Sequence, residues 1–151
     1  MILDGQAAFS NPQTVTTGTD TGLKSTNVYD LGLAGREVGP GKPLYVVVEV
    51  TTTFTSSGSD DDLAVNLITD DNESMTTPTQ VQELAVIPRI SAAGAVVVGV
   101  IAPKPGVALE RYIALQYKSK GDGALTAGAV KAFLTETPDA YKAYAKGYTI
   151  S

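Results

Sequence analysis

Hydrophobic and polar side chains alternate along residues 43–55, which have the sequence PLYVVVEVTTTFT. A β-strand directs successive side chains to opposite faces, so a period of two divides this segment into two sets. One face carries Leu44, Val46, Val48, Val50 and Phe54, and the other carries Tyr45, Glu49, Thr51, Thr53 and Thr55. Val47 is the aliphatic exception on the polar face. The pattern predicts a long, half-buried strand that acts as a template for its neighbours.

Shorter segments rich in β-branched residues follow along the chain, separated by turns of Gly, Pro, Asp and Ser. They predict strands over residues 27–31, 63–69, 81–87, 95–102, 109–117 and 124–136. The unbroken apolar run 95–102 is expected to be buried on both faces. We therefore expect an all-β fold: a single-domain antiparallel β-sandwich of jelly-roll type, with seven or eight strands and extended N- and C-terminal arms.

The two ends of the chain differ from the middle in composition. Residues 1–26 pass from a short apolar stretch into a Thr- and Gly-rich segment, which predicts an N-terminal arm with a short strand at residues 13–17. Residues 27–137 are expected to form the sandwich. Residues 138–151 allow either a two-turn helix or an extended C-terminal arm, and we favour the arm. Because apolar and tyrosine side chains favour interfaces, the expected contact residues are Ile2, Leu3, Phe9, Tyr141, Tyr144 and Tyr148.

Three residue types that matter for enzyme chemistry are absent, because the sequence contains no Cys, His or Trp. Without histidine there is no Ser-His-Asp triad and no imidazole metal ligand, and without cysteine there is no disulfide and no thiolate site. A hydrolase built on two carboxylates, for example Asp70 and Glu83, is an alternative, but nothing in the sequence brings these groups together. We expect no enzyme and no cofactor.

Acidic residues lie on both sides of the predicted strand at 63–69. They are Asp60, Asp61 and Asp62 before it and Asp70 and Asp71 after it. Calcium binds clustered carboxylates, so a calcium-dependent carbohydrate-binding sandwich is an alternative function. The spacing does not match an EF-hand calcium loop, and aspartates beside a strand also form turns and protect sheet edges. The sequence favours solvated turns and leaves cation binding open.

Charge is distributed unevenly along the chain, whose net charge is −5. Residues 1–88 carry 3 basic and 12 acidic side chains, whereas residues 89–151 carry 8 basic and 4 acidic ones. Opposite charges of this kind can complement each other within a fold or between copies of it. There is no basic patch with interleaved aromatics and no apolar run of transmembrane length. We expect a soluble protein that binds neither nucleic acid nor membrane.

Six short motifs follow one another along the chain. They are MILD at residues 1–4, Phe9-Ser10 with Gln13, STNVYDLG at 25–32, Thr69-Asp70-Asp71, Glu110-Arg111-Tyr112 with Tyr117, and a tyrosine- and glycine-rich end at 141–150. Together they resemble the capsid cement, or decoration, proteins of tailed phages, the group typified by the Bordetella phage cement protein.

The resemblance implies a small jelly-roll protein on the outside of an icosahedral head, where it clips neighbouring major capsid proteins together. It also implies a homo-oligomer, either a dimer or a trimer, without catalysis or cofactor. The expected partners are the phage major capsid protein and other copies of the chain. The expected location is the outer capsid surface of the virion, after synthesis in the host cytoplasm.

Overall fold

A computed structural model of the chain describes residues 7–16, 22–34, 43–103, 106–121 and 123–138. These residues form nine β-strands and no α-helix, so the all-β prediction is confirmed. The strands are β1 (Ala8–Thr14), β2 (Leu23–Lys24), β3 (Tyr29–Asp30), β4 (Tyr45–Ser56), β5 (Leu63–Asp70), β6 (Thr79–Ile87), β7 (Val96–Val100), β8 (Tyr112–Ser119) and β9 (Leu125–Thr135). Within the same residues, no helix is long and apolar enough to cross a membrane.

The strands form two antiparallel sheets. Sheet A has the order β1-β9-β4-β7, and sheet B has the order β2-β8-β5-β6 with β3 also paired to β8. β2 and β3 lie end to end along one edge of β8, because Leu23 pairs with Tyr117 and Tyr29 pairs with Ile113. The nine strands therefore occupy eight positions in the two sheets.

β4 lies between β9 and β7 in sheet A, and its core-facing side chains are those predicted for residues 43–55. The strand is not half-buried throughout, because residues 46–50 are buried on both faces, including Glu49. Its inward side chains Val46, Val48, Val50 and Phe54 all belong to the main core. Val47 on the opposite face is also fully buried, because it packs with Ala8 and Phe133 in a small outer cluster. The aliphatic exception in the pattern therefore has a partner on the outer face of sheet A.

β7 lies at the end of sheet A, and the prediction that residues 95–102 are buried on both faces was wrong. Its side chains are mostly half-buried, and Val100 is 42% exposed. A strand with a neighbour on one side only cannot be covered as completely as a central strand. The strand that is buried along its whole length is β5, where the loop residue Met75 packs on the outer face against Ile68.

The N-terminal segment contributes a strand where an arm was expected over residues 1–26. β1 pairs with β9 from Ala8, opposite Phe133, to Thr14, opposite Ala129. The strand expected at residues 13–17 overlaps only the end of β1. Phe9 draws this segment into the fold, because its side chain is 1% exposed and belongs to the main core. Residues 1–6 and 17–21 of the predicted arm lie outside the described residues.

Amide side chains join the two sheets along both open sides of the sandwich. On one side Gln82 of β6 donates to the Val100 carbonyl and accepts from the Ala102 N–H, both at 2.9 Å. On the other side Gln13 of β1 donates to the Lys24 carbonyl at 2.7 Å, and Asn27 donates to the Ala8 carbonyl at 2.8 Å. These hydrogen bonds satisfy backbone groups at the edges and hold the sheets in register.

Candidate functional site

An apolar cavity of about 330 Å³ opens at one end of the sandwich, where β4 begins and β9 ends. The lining consists of Tyr29, Leu31, Leu44, Ile113, Leu134, Thr135 and Glu136. Tyr29 is held in place by Phe9, whose ring centroid lies 6.2 Å from that of Tyr29 at an interplanar angle of 52°. A concave, mainly apolar surface with a few polar groups at its margin is suited to binding another molecule.

A charged pair lies beside the cavity and fixes β3 against β8. Arg111 donates two hydrogen bonds to the Asp30 carboxylate, from Nε at 3.0 Å and from the guanidinium nitrogen Nη2 at 2.9 Å. These bonds hold the pKa of Asp30 below its ordinary value, and the N–H of Gly32 contributes in the same direction. Leu33, immediately beyond this turn, is 73% exposed. This end of the molecule therefore combines a fixed polar pair with an exposed apolar side chain.

Some of the opposite charges in the two parts of the sequence form ion pairs within the fold. The pair formed by Asp30 and Arg111 joins the acidic part of the chain to the basic part. Glu83 and Lys120 do the same, with an N–O distance of 3.1 Å. Both pairs are solvent-exposed, so each contributes little to stability.

Asp61 belongs to a buried turn. Its carboxylate accepts hydrogen bonds from the hydroxyl of Ser56, from the N–H of Gly58 at 2.6 Å and from the N–H of Gly123 at 2.7 Å. The bond from Ser56 holds the pKa of Asp61 below its ordinary value, while burial acts in the opposite direction. The carboxylate thus ties the β4–β5 turn to the β8–β9 loop.

Asp70 at the other end of β5 is also engaged. Burial alone raises the pKa of this carboxyl, but hydrogen bonds from the N–H groups of Thr77 at 2.8 Å and Asn72 at 3.0 Å outweigh it and lower the pKa. The bonds anchor the loop that carries Met75. Asp70 is therefore a loop anchor in the same way that Asp61 is a turn anchor.

The carboxylates do not assemble into a reactive or metal-binding group within the described residues. No three His, Cys, Asp or Glu side chains come together there as possible metal ligands. Asp70 and Glu83, considered as a hydrolase pair, are also far apart. Glu83 pairs with Asn66, four residues before Asp70 on β5, which corresponds to roughly 13 Å along a strand.

The residues predicted as interface contacts are not brought together among the described residues. Phe9 packs in the main core of the chain, so its assignment to an interface is corrected. The others, Ile2, Leu3, Tyr141, Tyr144 and Tyr148, lie outside the described residues. Sequence reasoning missed the cavity, because its lining comes from segments as distant as Tyr29 and Leu134. The only signal was that Leu44 and Ile113 fall on the apolar faces of their strands.

A comparison with protein families identifies the relatives of this sandwich. The model of the Bbp16 family matches residues 9–134. The chain belongs to the Bbp16 family. Bbp16 is a Bordetella phage protein, so the resemblance found in the sequence motifs is confirmed at the level of the family. A comparison with curated proteins gives no match.

The Bbp16 match spans most of the residues that the structure describes. It begins at Phe9 in β1 and ends at Leu134 in β9, so it includes seven strands completely and all but one residue of β1 and of β9. The cavity residues Thr135 and Glu136 follow directly after it. Membership of a phage protein family, together with this all-β fold, is consistent with a structural protein and suggests a virion component.

Proposed function

We infer that the two sheets form a jelly roll, in which a long hairpin of strands is folded over so that the first strand pairs with the last. With β2 and β3 counted as one position, β1 pairs with β9, β2 and β3 with β8, β4 with β7, and β5 with β6. These four pairs are nested about the β5–β6 hairpin. The nesting supports the assignment, because a simple meander would pair each strand with the next one.

We propose that the protein is a capsid cement, or decoration, protein that binds the outside of a phage head and stabilises contacts between major capsid proteins. The observation that carries the proposal is the match of most of the chain to the Bbp16 family. Such a role requires a rigid β-scaffold and complementary surfaces, and it requires no catalytic residue and no cofactor. The anchored turns at Asp61 and Asp70 supply rigidity of this kind.

The cavity end of the sandwich is the side that we propose faces the head. It presents the apolar cavity and the exposed Leu33 beside the Asp30–Arg111 pair. Interfaces typically combine an apolar centre with a polar rim, and this end offers both. The opposite end carries Ile90, in the loop between β6 and β7, which is 76% exposed. Ile90 therefore provides a matched control.

The test is an add-back experiment on heads of the phage that encodes the chain. Heads prepared without the protein are expected to rupture at a lower temperature than complete heads, and the purified chain is expected to restore the higher temperature. Leu33→Asp is expected to bind heads more weakly, whereas Ile90→Asp is expected to bind like the unaltered chain. Equal binding by both variants would exclude the cavity end, and failure of the unaltered chain to bind would exclude the cement role.

The terminal segments need a separate test, in which the ends of each deletion are chosen so that no strand is cut. Removal of residues 1–12 would delete five of the seven residues of β1, including the buried Phe9, so any loss of binding would reflect unfolding. Removal of residues 1–6 or 139–151 leaves all nine strands in place. If Ile2, Leu3 and the C-terminal tyrosines contact the head, both shorter deletions should reduce occupancy. Unchanged occupancy in both would rule out the arms as contacts.

A further inference from the structure

Acidic side chains from both sheets lie around the cavity. β5 ends at Asp70, which pairs with Tyr112 at the start of β8, and the next residue along β8, Ile113, lines the cavity. Glu110 lies just before β8. Glu136 follows β9 and belongs to the lining itself. An opening with apolar walls is therefore bordered by carboxylates.

The described residues place few basic side chains at this end of the sandwich. Arg111 is the one basic side chain that they bring to the cavity end, and its guanidinium donates two hydrogen bonds to the Asp30 carboxylate. The other described basic residues are Arg89, Lys118 and Lys120 towards the opposite end and Lys24 and Lys131 on the outer faces of the sheets. The charge of the described residues is thus most negative around the cavity.

The cavity is small and has apolar walls. Its volume of about 330 Å³ is close to the lower limit for ligand pockets, which measure roughly 300–1,000 Å³. Leucine side chains, Ile113 and the ring of Tyr29 form the walls, whereas Thr135 and Glu136 supply the polar groups. A pocket of this size suits one large apolar side chain of a partner, because such anchors are enclosed and surrounded by a polar rim.

The combination of an apolar pocket and an acidic border selects among ligands. The carboxylates alone would not identify a site, but the pocket that they surround supplies a place for an anchor. An apolar ligand with a negative group, such as a fatty acid, is repelled by the border. A peptide that carries an apolar side chain between basic ones gains from both the pocket and the border.

We propose that the cavity binds an extended basic segment of a partner protein, which inserts one large apolar side chain and places adjacent Lys or Arg side chains over the acidic border. Leu33, which is 73% exposed beside the Asp30–Arg111 pair, extends the apolar contact beyond the cavity. The source of the segment rests on the proposed role at the head, which makes it a part of the major capsid protein. The chemistry of the segment follows from the cavity alone.

Titration of the full-length chain with short peptides tests this chemistry without phage heads. The probe is acetyl-Lys-Phe-Lys-amide, which we expect to shift the methyl NMR signals of Ile113 and Leu134. Acetyl-Lys-Ser-Lys-amide lacks the anchor and acetyl-Glu-Phe-Glu-amide reverses the charge, so each should bind at least about tenfold more weakly. Sodium octanoate should leave both signals unchanged. Binding of the probe should weaken between about 0.05 M and about 0.5 M sodium chloride, because salt screens the charges.

Two substitutions alter the border and the wall separately. Glu136→Lys, at an exposed position of the lining, should weaken binding of the probe and strengthen binding of acetyl-Glu-Phe-Glu-amide. Leu44→Ser makes the wall polar and should weaken binding of both peptides that contain Phe. Asp60→Lys makes the same change of charge at an exposed position towards the opposite end and should bind the probe like the unaltered chain. Circular dichroism checks that each variant is folded.

The outcomes separate this proposal from the cement role. Equal binding of the Lys-Phe-Lys and Glu-Phe-Glu peptides, or a shift caused by octanoate, would overturn the proposal. Binding of the probe only after removal of residues 139–151 would make the chain's own end the occupant and would overturn it too. On heads, Glu136→Lys should have a lower occupancy than Asp60→Lys, and equal occupancy would exclude the basic segment but not the cement role. If the unaltered chain does not bind heads, the cement role fails and the peptide result stands.

Discussion

The hydroxyl of Tyr117 in β8 lies 2.8 Å from the hydroxyl of Ser10 in β1, within the buried core between the two sheets. Ser10 donates its single hydroxyl hydrogen to Oε1 of Gln13 at 2.7 Å. Tyr117 must therefore be the donor to Ser10. This chain of hydrogen bonds connects Tyr117, in an inner strand of sheet B, to β1 at the edge of sheet A. Because Tyr117 is the donor, its hydroxyl must be protonated.

Tyr117→Phe is expected to lower the free energy of unfolding by about 1 kcal/mol, which is typical of one buried hydrogen bond. The loss stays modest because Ser10 keeps its bond to Gln13. Urea denaturation measures the change. Tyr45→Phe, at a half-buried position on the opposite face of β4, provides the control and is expected to alter stability by less than half as much. An equal effect of both substitutions would contradict the buried bond.

Alkaline pH is expected to destabilise the fold through Tyr117. Burial raises the pKa of this phenol far above the ordinary value of 10.0, and the bond to Ser10 opposes the shift only in part. The stabilisation is therefore complete below pH 10.0 and is lost as the pH rises above it, because the unfolded chain releases the proton first. Thermal midpoints measured between pH 8 and pH 11 should fall less steeply in Tyr117→Phe. Parallel curves would show that Tyr117 does not control this loss.

Acidic pH is expected to destabilise the fold through Asp61. Its pKa lies below 3.8, chiefly because of the hydrogen bond from Ser56, so its stabilisation is present above pH 3.8 and is lost as the pH falls further. Asp61→Asn should lower the thermal midpoint at pH 7 and weaken the dependence on acid. Asp60→Asn, at the neighbouring exposed position, is the control. If the two variants have the same acid profile, the Asp61 turn is not a determinant of stability.

Gly128 in β9 is expected to tolerate no side chain. Its φ is +139°, and a Cβ there would collide with the ring of Phe54. Gly94 also has a positive φ, +96°, but has open space around it. Gly94→Ala should therefore cost about 1–3 kcal/mol from backbone strain alone. Gly128→Ala should cost about 1–3 kcal/mol more from overpacking. Equal losses in thermal denaturation would mean that Phe54 moves away without cost.

The sequence predicted the buried side chains best where every second residue along a strand faces the core. Alternation over residues 43–55 predicted the core side of β4, because one face of that strand meets sheet B along its whole length. The expectation of solvated acidic turns was right only in part: backbone N–H groups engage the carboxylates of Asp61 and Asp70 in turns, but both side chains are buried.

Features that depend on distant pairing could not be derived from the sequence. Pro12 and the polar residues around it concealed β1, so Phe9 was assigned to an arm although it packs in the core. The Gln82 bonds across the open side depend on where β6 meets the end of β7, and no local pattern encodes that meeting. The apolar run of β7 indicated a strand but not its position at the edge of a sheet.

A cryo-electron microscopy reconstruction of heads from the encoding phage most directly tests the cement role. The account predicts density for the two-sheet sandwich on the outer surface, at contacts between major capsid proteins, with the cavity end and Leu33 towards the shell. It also predicts a fixed ratio of this chain to the capsid protein in the same particles. Heads that contain the complete shell but no such density outside it would contradict the account.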